Sequence, residues 1–120
     1  MNKAEAINNF WNKFLTAYDQ NTVPDDVKLP YITYTVSTDN INHPIPLNAS
    51  IWYEEPTWEN IEAKTKEIAD YIGYGHVSER IDDGFMWIVK GSIFAQRMTD
   101  PNNKNIRRMY INIIAEFLTA

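Results

Sequence analysis

The sequence predicts an α+β fold, a single domain over residues 1–120 in which two helices pack on an antiparallel-rich β-sheet of about four to five strands, in the order α-β-β-α-β-β-β. Three observations carry this prediction. Two segments repeat apolar residues at helical spacing, several others show the alternation or β-branched composition of strands, and the breaks between them carry turn residues suited to hairpins. A chain of 120 residues that is 44% apolar and 13% aromatic can bury one core but is cramped for two.

In the first element, Ile7, Phe10, Trp11, Phe14, Leu15 and Tyr18 lie on one helical stripe, which predicts a helix over about residues 3–18. Turn formers and a proline from Asp19 to Asp26 end it and lead to Leu29-Pro30. Residues 31–37, Tyr-Ile-Thr-Tyr-Thr-Val-Ser, have strand composition. A loop at 38–46, with Asp39, Asn40, Asn42, Pro44 and Pro46, precedes a second strand at about 45–54, where Leu47, Ala49, Ile51 and Tyr53 alternate with mostly polar neighbours. These two strands are expected to pair as a hairpin.

Thr57 can cap a second helix whose Trp58, Ile61, Thr65, Ile68, Ala69 and Ile72 share a face, with Glu59, Glu62, Lys66 and Asp70 outward and a Glu62–Lys66 pair in the favourable order. Gly73-Tyr74-Gly75 ends it. A short strand at 76–81, the Asp82-Asp83-Gly84 turn and a strand at 85–90 form a second hairpin. Gly91 marks a bulge or bend, 92–99 continues as a strand, and Asp100-Pro101-Asn102-Asn103 is a turn. In the last strand, from Ile106 to Leu118, Met109, Ile111, Ile113 and Phe117 occupy one face and Tyr110, Ile114 and Leu118 the other. A strand apolar on both faces belongs in the centre of a sheet, or under a helix on one side and a partner on the other.

Composition narrows the function. The chain has 11 Lys and Arg against 16 Asp and Glu, a net charge of −5, which makes it a poor non-specific binder of nucleic acid. It has no cysteine and two histidines, His43 and His76, so disulfides, thiol nucleophiles and cysteine zinc sites are excluded. No apolar run is long enough to cross a membrane and residues 1–5 lack the apolar stretch of a signal peptide, so a soluble protein not exported by that route is expected. Residues 1–83 hold 6 basic and 14 acidic side chains (−8), whereas residues 84–120 hold 5 and 2 (+3), an asymmetry that suits self-association.

The motifs for chemistry are sparse. His76, Glu79, Asp82 and Asp83 form the one cluster of metal-ligating or acid–base type, but a strand there puts His76, Ser78 and Arg80 on one face and Glu79 on the other. Ser50, Ser78 and Ser92 lack a Gly-x-Ser-x-Gly elbow, and the four glycines form no phosphate-binding pattern. No catalytic residue, metal or cofactor is expected. Glu54, Glu55 and Glu59 crowd the start of the second helix, where charge–dipole attraction explains them. Trp52, Trp58 and Trp87 could form an aromatic cage, but strand and helix aromatics are commonly core, and Trp52 alone alternates outward.

Residues 94–108 mix Phe94 and Met98 with Arg97, Lys104, Arg107 and Arg108 around a projecting turn, a composition of protein interfaces and equally of a plain hairpin with a basic edge. Trp52, Phe94, Arg97, Met98, Lys104, Arg107 and Arg108 are therefore the candidate interface, with Glu54, Glu55 and Asp83 as acidic counterparts on a neighbour.

Val-Pro-x-x-x-x-Leu-Pro-Tyr-Ile-Thr-Tyr from Val23 to Tyr34, then Ala49-Ser50-Ile51-Trp52-Tyr53 leading into a Trp-x-x-Ile helix, resemble small tail proteins of long-tailed, siphovirus-like bacteriophages. Gly84-Phe85-Met86-Trp87-Ile88, Phe94-Ala95-Gln96-Arg97-Met98 and the strand opening Ile106-Arg107-Arg108 are similar too, so the likeness spans roughly residues 10–118. The resemblance is to the tail-terminator or tail-completion group of minor tail and minor capsid proteins. It implies a non-enzymatic virion subunit, located in the tail or neck and in the host cytoplasm during assembly. Its partners would be its own copies in a six-fold ring, the major tail tube protein and a neck or connector protein, with DNA only passing through the lumen and no membrane contact. A head-to-tail connector or stopper ring is the alternative within phage particles. A peptide- or ligand-binding module using Trp52 and Tyr53 as a platform is the alternative outside them.

Overall fold

The computed structural model describes residues 1–36, 44–99 and 105–119. Their elements run α1 (Lys3–Asn12), β1 (Ala17–Asp19), β2 (Tyr31–Tyr34), β3 (Ile45–Glu54), α2 (Glu59–Ile72), β4 (Val77–Ile81), β5 (Gly84–Thr99) and β6 (Ile106–Thr119). The α+β class holds, with six strands among the described residues in a curled sheet of order β1-β2-β3-β6-β5-β4. Every pairing is antiparallel except β1 with β2.

The sixth strand comes from the segment expected to finish the first helix. Asn2 and Glu5 close a capping box at the start of α1, the Asn2 side chain accepting from the Glu5 N–H at 2.8 Å. The helix stops at Asn12, whose carboxamide donates to the Asn8 carbonyl at 2.8 Å and accepts from the Ala17 N–H at 3.0 Å. That side chain takes the place of another helical turn and releases residues 17–19 to pair beside β2. The apolar stripe is misleading here because Phe14 and Ala17 are buried without being helical.

Helix α2 buries Ile61, Ile68 and Ile72 and turns Glu59, Glu62, Lys66 and Asp70 outward, as its periodicity predicts. Its pairs differ from the prediction: Lys66 bridges Asp70 at 2.6 Å and Glu62 bridges Arg97 of β5. Thr57 meets the Glu59 N–H only at 3.4 Å, and the helix start is served by Glu55. Gly73, at φ +73°, closes the helix in the left-handed region that glycine alone enters freely, its N–H donating to Ala69.

β5 runs through Gly91 with a wide irregularity. Lys90 faces Ile113 and Ala95 faces Ile111, so residues 91–94 all stand opposite Asn112. A Cβ at Gly91 would lie 3.0 Å from both Cβ and O of Asn112, a tight contact that favours glycine. Beyond it, Ile93 has φ +53° and is 69% exposed, while its carbonyl accepts from the Asn112 amide at 3.0 Å. The predicted loop at 38–46 lies outside the described residues from Thr38 to His43, and the predicted turn at 100–103 lies wholly outside them.

One sheet face holds the core: Ile32 and Tyr34 of β2, Leu47, Ala49 and Ile51 of β3, Met86 and Ile88 of β5, and Met109, Ile111 and Ile113 of β6. Both helices pack there, α2 across β3, β5 and β6, and α1 against β1 and β4. Since β1 and β4 are the two edges of the sheet, the curl brings both edges to one helix. Phe10 and Phe14 meet Tyr71 of α2 at ring separations of 6.1 and 5.6 Å, so the helices also touch each other.

Candidate functional site on the open face of the sheet

Strand alternation sends the remaining side chains of β2, β3, β6, β5 and β4 to the opposite, open face. Their register divides that face into two halves. Toward one end, Phe85 faces Leu118, Trp87 faces Glu116, and Ile114 lies between Val89 and Pro46. Phe85, Trp87, Ile114 and Leu118 are all exposed, from 36 to 48%. Toward the other end, Ser50 faces both Thr33 and Tyr110, and Trp52 and Met98 flank Arg108. One half carries large exposed apolar side chains beside Arg80 and Glu116, and the other is rich in hydroxyls around a guanidinium.

The candidate interface residues separate between the two faces. Trp52, Arg108 and Met98 form one row across β3, β6 and β5 on the open face. Phe94 packs against the core beside α2. Arg97 donates from Nε to Glu62 at 2.8 Å and stacks over Trp58 at 4.7 Å, and Arg107 lies over the same ring at 5.4 Å while donating to the Pro56 carbonyl at 2.8 Å. Arg97 thus spends its charge within the subunit. Lys104 lies outside the described residues.

The acidic candidates also scatter. Glu54 is exposed at the end of β3, and Asp83 is exposed in the β4–β5 turn. Glu55 is 8% exposed, and its Oε1 accepts from the N–H groups of Asn60 and Ile61 at 3.1 and 3.5 Å. It is a helix cap, which corrects its assignment to an interface and supports the dipole reading. No single surface therefore contains the whole predicted set.

Register corrects the Trp52–Tyr53 platform and agrees with the sequence in disfavouring the aromatic cage. Trp52 and Tyr53 lie on opposite faces, Tyr53 against α2 where burial, followed by Glu55 and Glu67, pushes its hydroxyl pKa up. They cannot form one platform. Trp52 and Trp87 share the open face but are eight β6 residues apart, roughly 27 Å at strand rise, and Trp58 is on the helix face, so the three make no cage. His76 stacks on Trp87 at 4.1 Å, while Glu79 faces the helices, accepting from Tyr71 at 2.7 Å and bridging Lys13 at 3.6 Å. Among the described residues, no three His, Cys, Asp or Glu side chains gather as metal ligands would.

The polar half of the open face holds a cavity of about 280 Å³. Arg108 stands in its wall, with Nε donating to Ser50 Oγ at 2.9 Å and the guanidinium over Trp52 at 4.9 Å and Tyr110 at 5.9 Å. The Trp52 indole N–H donates in turn to Thr33 Oγ1 at 2.9 Å. Thr35 and Asn48 close one side, the Asn48 carbonyl accepting from both the Thr35 N–H at 2.9 Å and its hydroxyl at 3.2 Å. Gln20 completes the rim.

Sequence reasoning singled out Arg108 and Trp52 but not that they touch, and it missed Ser50 as their support. Alternation places Ser50, Trp52, Tyr110 and Arg108 on one face; the β3–β6 register that makes them neighbours joins residues nearly sixty apart and has no local signal. Sequence reasoning also missed Trp87 and Phe85, since it reads Trp52 as the one outward tryptophan, although the alternation with Met86 and Ile88 carries the signal. Comparison with protein-family models, with curated proteins and with solved structures finds no match.

Proposed function

We propose that this chain is a structural subunit of a long-tailed phage or prophage particle, a tail-terminator or tail-completion protein that assembles as a ring on the tail tube and joins it to the head. The observation that supports the reading is one half of the open face, where Phe85, Trp87, Ile114 and Leu118 are exposed on the interior strands β5 and β6. Large apolar side chains grouped on a sheet face that no helix covers among the described residues suit a surface meant for another protein. The sequence resemblance supplies the partners: copies of the chain, the tube protein on one side and a neck protein on the other. In such a cap the mechanism is geometric. Subunits closing into a ring multiply weak single contacts, and two unlike surfaces of the ring end one polymer while receiving the next component.

The experiment is to purify Ile114→Asp and Leu118→Asp, confirm that each unfolds like the parent, and supply them to tail assembly lacking the natural protein. Both substitutions are expected to give tails of uncontrolled length without heads. Normal, head-joined tails formed with neither variant nor parent present would overturn the role. Correct tail length with failed head attachment would assign the chain to the connector or stopper position instead.

A further inference from the structure

The cavity beside Arg108 carries a second assignment, independent of the tail role. We propose that it is a receptor for a single carboxylate, presented by a small molecule or by an acidic side chain of a partner.

Several hydrogen-bonding groups of the cavity are already used. Ser50 Oγ accepts from Arg108 Nε and Thr33 Oγ1 accepts from the Trp52 indole, so each hydroxyl keeps its own proton to donate. The Asn48 carbonyl receives two bonds from Thr35 and has no lone pair to spare. Arg108 contributes only donors, and its two Nη groups have no partner among the described residues. Gln20 and Asn48 carry carboxamides that both donate and accept, so Arg108 and the two hydroxyl protons set the net bias of the wall toward donors, and an acceptor is what satisfies it. It contains no Asp or Glu, and no carboxylate lies within ion-pair distance of Arg108 among the described residues. Glu54 shares the open face one residue pair along β3 but makes no bridge to it.

The site is also rigid. Ser50 is 4% exposed, and its bond to Nε together with the Trp52 and Tyr110 rings fixes the guanidinium plane before any ligand arrives. A guanidinium held through Nε presents its Nη edge, whose two parallel N–H groups match the two oxygens of a carboxylate. One cation balances one negative charge, which favours a monoanionic carboxylate over dianionic phosphate. At about 280 Å³ the cavity is just under the range of sites for drug-sized ligands, so it accommodates a head group and not a nucleotide.

The test uses the full chain and follows the Trp52 indole and Arg108 Nε signals by NMR during titration with acetate, with inorganic phosphate, and with a short capped peptide carrying Glu or, as control, Gln. Carboxylates are expected to shift both signals saturably, and Arg108→Gln to weaken binding by at least about tenfold, as loss of a charged hydrogen-bond partner does. Arg108→Lys, which keeps the charge and loses the planar edge, is expected to fall between. Saturation by the Glu peptide with weak response to acetate identifies an acidic segment of a partner as the ligand, and comparable response to both identifies a small carboxylate. The assignment is overturned if the Gln peptide binds as well as the Glu peptide, if phosphate binds more tightly than both carboxylates, if Arg108→Gln and Arg108→Lys both bind like the parent, or if none of the probes shifts either signal.

Discussion

Replacing Glu55 tests how α2 is anchored. The residue before the first turn, Trp58, offers the helix no side-chain acceptor, so two of the orphan N–H groups at this end depend on Glu55 Oε1. Losing a capping acceptor costs about 0.5–2 kcal/mol, and losing a negative charge near a helix N-terminus adds roughly 0.3–1 kcal/mol. Glu55→Ala should therefore lower stability by about 1–3 kcal/mol. Glu55→Gln keeps an oxygen facing Asn60 and Ile61, and its amide replaces a buried Oε2 that has no donor among the described residues, exchanging one unpaired group for another. It should lose only the charge, on the order of 0.5–1 kcal/mol.

Urea unfolding followed by far-ultraviolet circular dichroism measures both, with an unchanged slope showing that the two-state comparison is sound. High salt should narrow the gap between parent and Glu55→Gln, because salt screens the charge–dipole part and leaves the hydrogen bonds. If Glu55→Gln is as damaging as Glu55→Ala, the acceptor bonds contribute nothing and the capping argument is wrong. If Glu55→Ala changes stability by less than about 0.5 kcal/mol, α2 is held by its Ile61, Ile68 and Ile72 contacts alone.

Arg97→Glu should destabilise the isolated subunit by about 1 kcal/mol, because it sets like charge against Glu62, and the double change with Glu62→Arg should recover most of that in a thermal-unfolding cycle; no coupling between the two positions would contradict the ion pair. Gly91→Ala should cost about 1–3 kcal/mol, since its Cβ must displace Asn112, and a stability equal to the parent would mean that the β5 irregularity relaxes freely. The Tyr71 hydroxyl is pushed up to about 12 by burial first and then by donation to Glu79. The folded state thus holds this proton more tightly than the unfolded state, so the stability it contributes is complete below about pH 10 and is lost as pH rises from there to about 12. The difference in tyrosinate absorbance between parent and Tyr71→Phe should titrate near 12, and a midpoint at the ordinary value would refute the effect.

What the sequence reveals about this fold tracks how local the cause is. Helix α2 is legible almost to the residue because its stripe, its outward charges and Gly73 all act within a few positions of one another. The end of α1 is not, because Asn12 decides it by binding Asn8 and Ala17 at once, and asparagine in an apolar stripe looks like an ordinary exposed position. The two faces of β6 are legible from alternation, including Ile114 and Leu118 on the open side. The partner of Arg97 is not, because Glu62 is far away in sequence and reaches it only once α2 lies across β5.

The Arg97–Glu62 pair changes what the charge asymmetry means. A −8 segment beside a +3 segment looks like two complementary surfaces on separate copies, yet folding brings parts of those segments together in one subunit. Arg97 is taken by Glu62, and Arg107 lies beside it over Trp58, on the helix face. Arg108 differs because the pleat points it the other way, onto a face where hydroxyls and aromatic rings hold it and no acidic side chain meets it among the described residues. Adjacent arginines of one strand are thereby given different physical roles, one bracing a helix and one open to recognition. In the proposed readings, recognition on the open face rests on the Arg108 guanidinium and a neighbouring group of exposed apolar side chains, which impose geometry, and not on a diffuse attraction between oppositely charged surfaces.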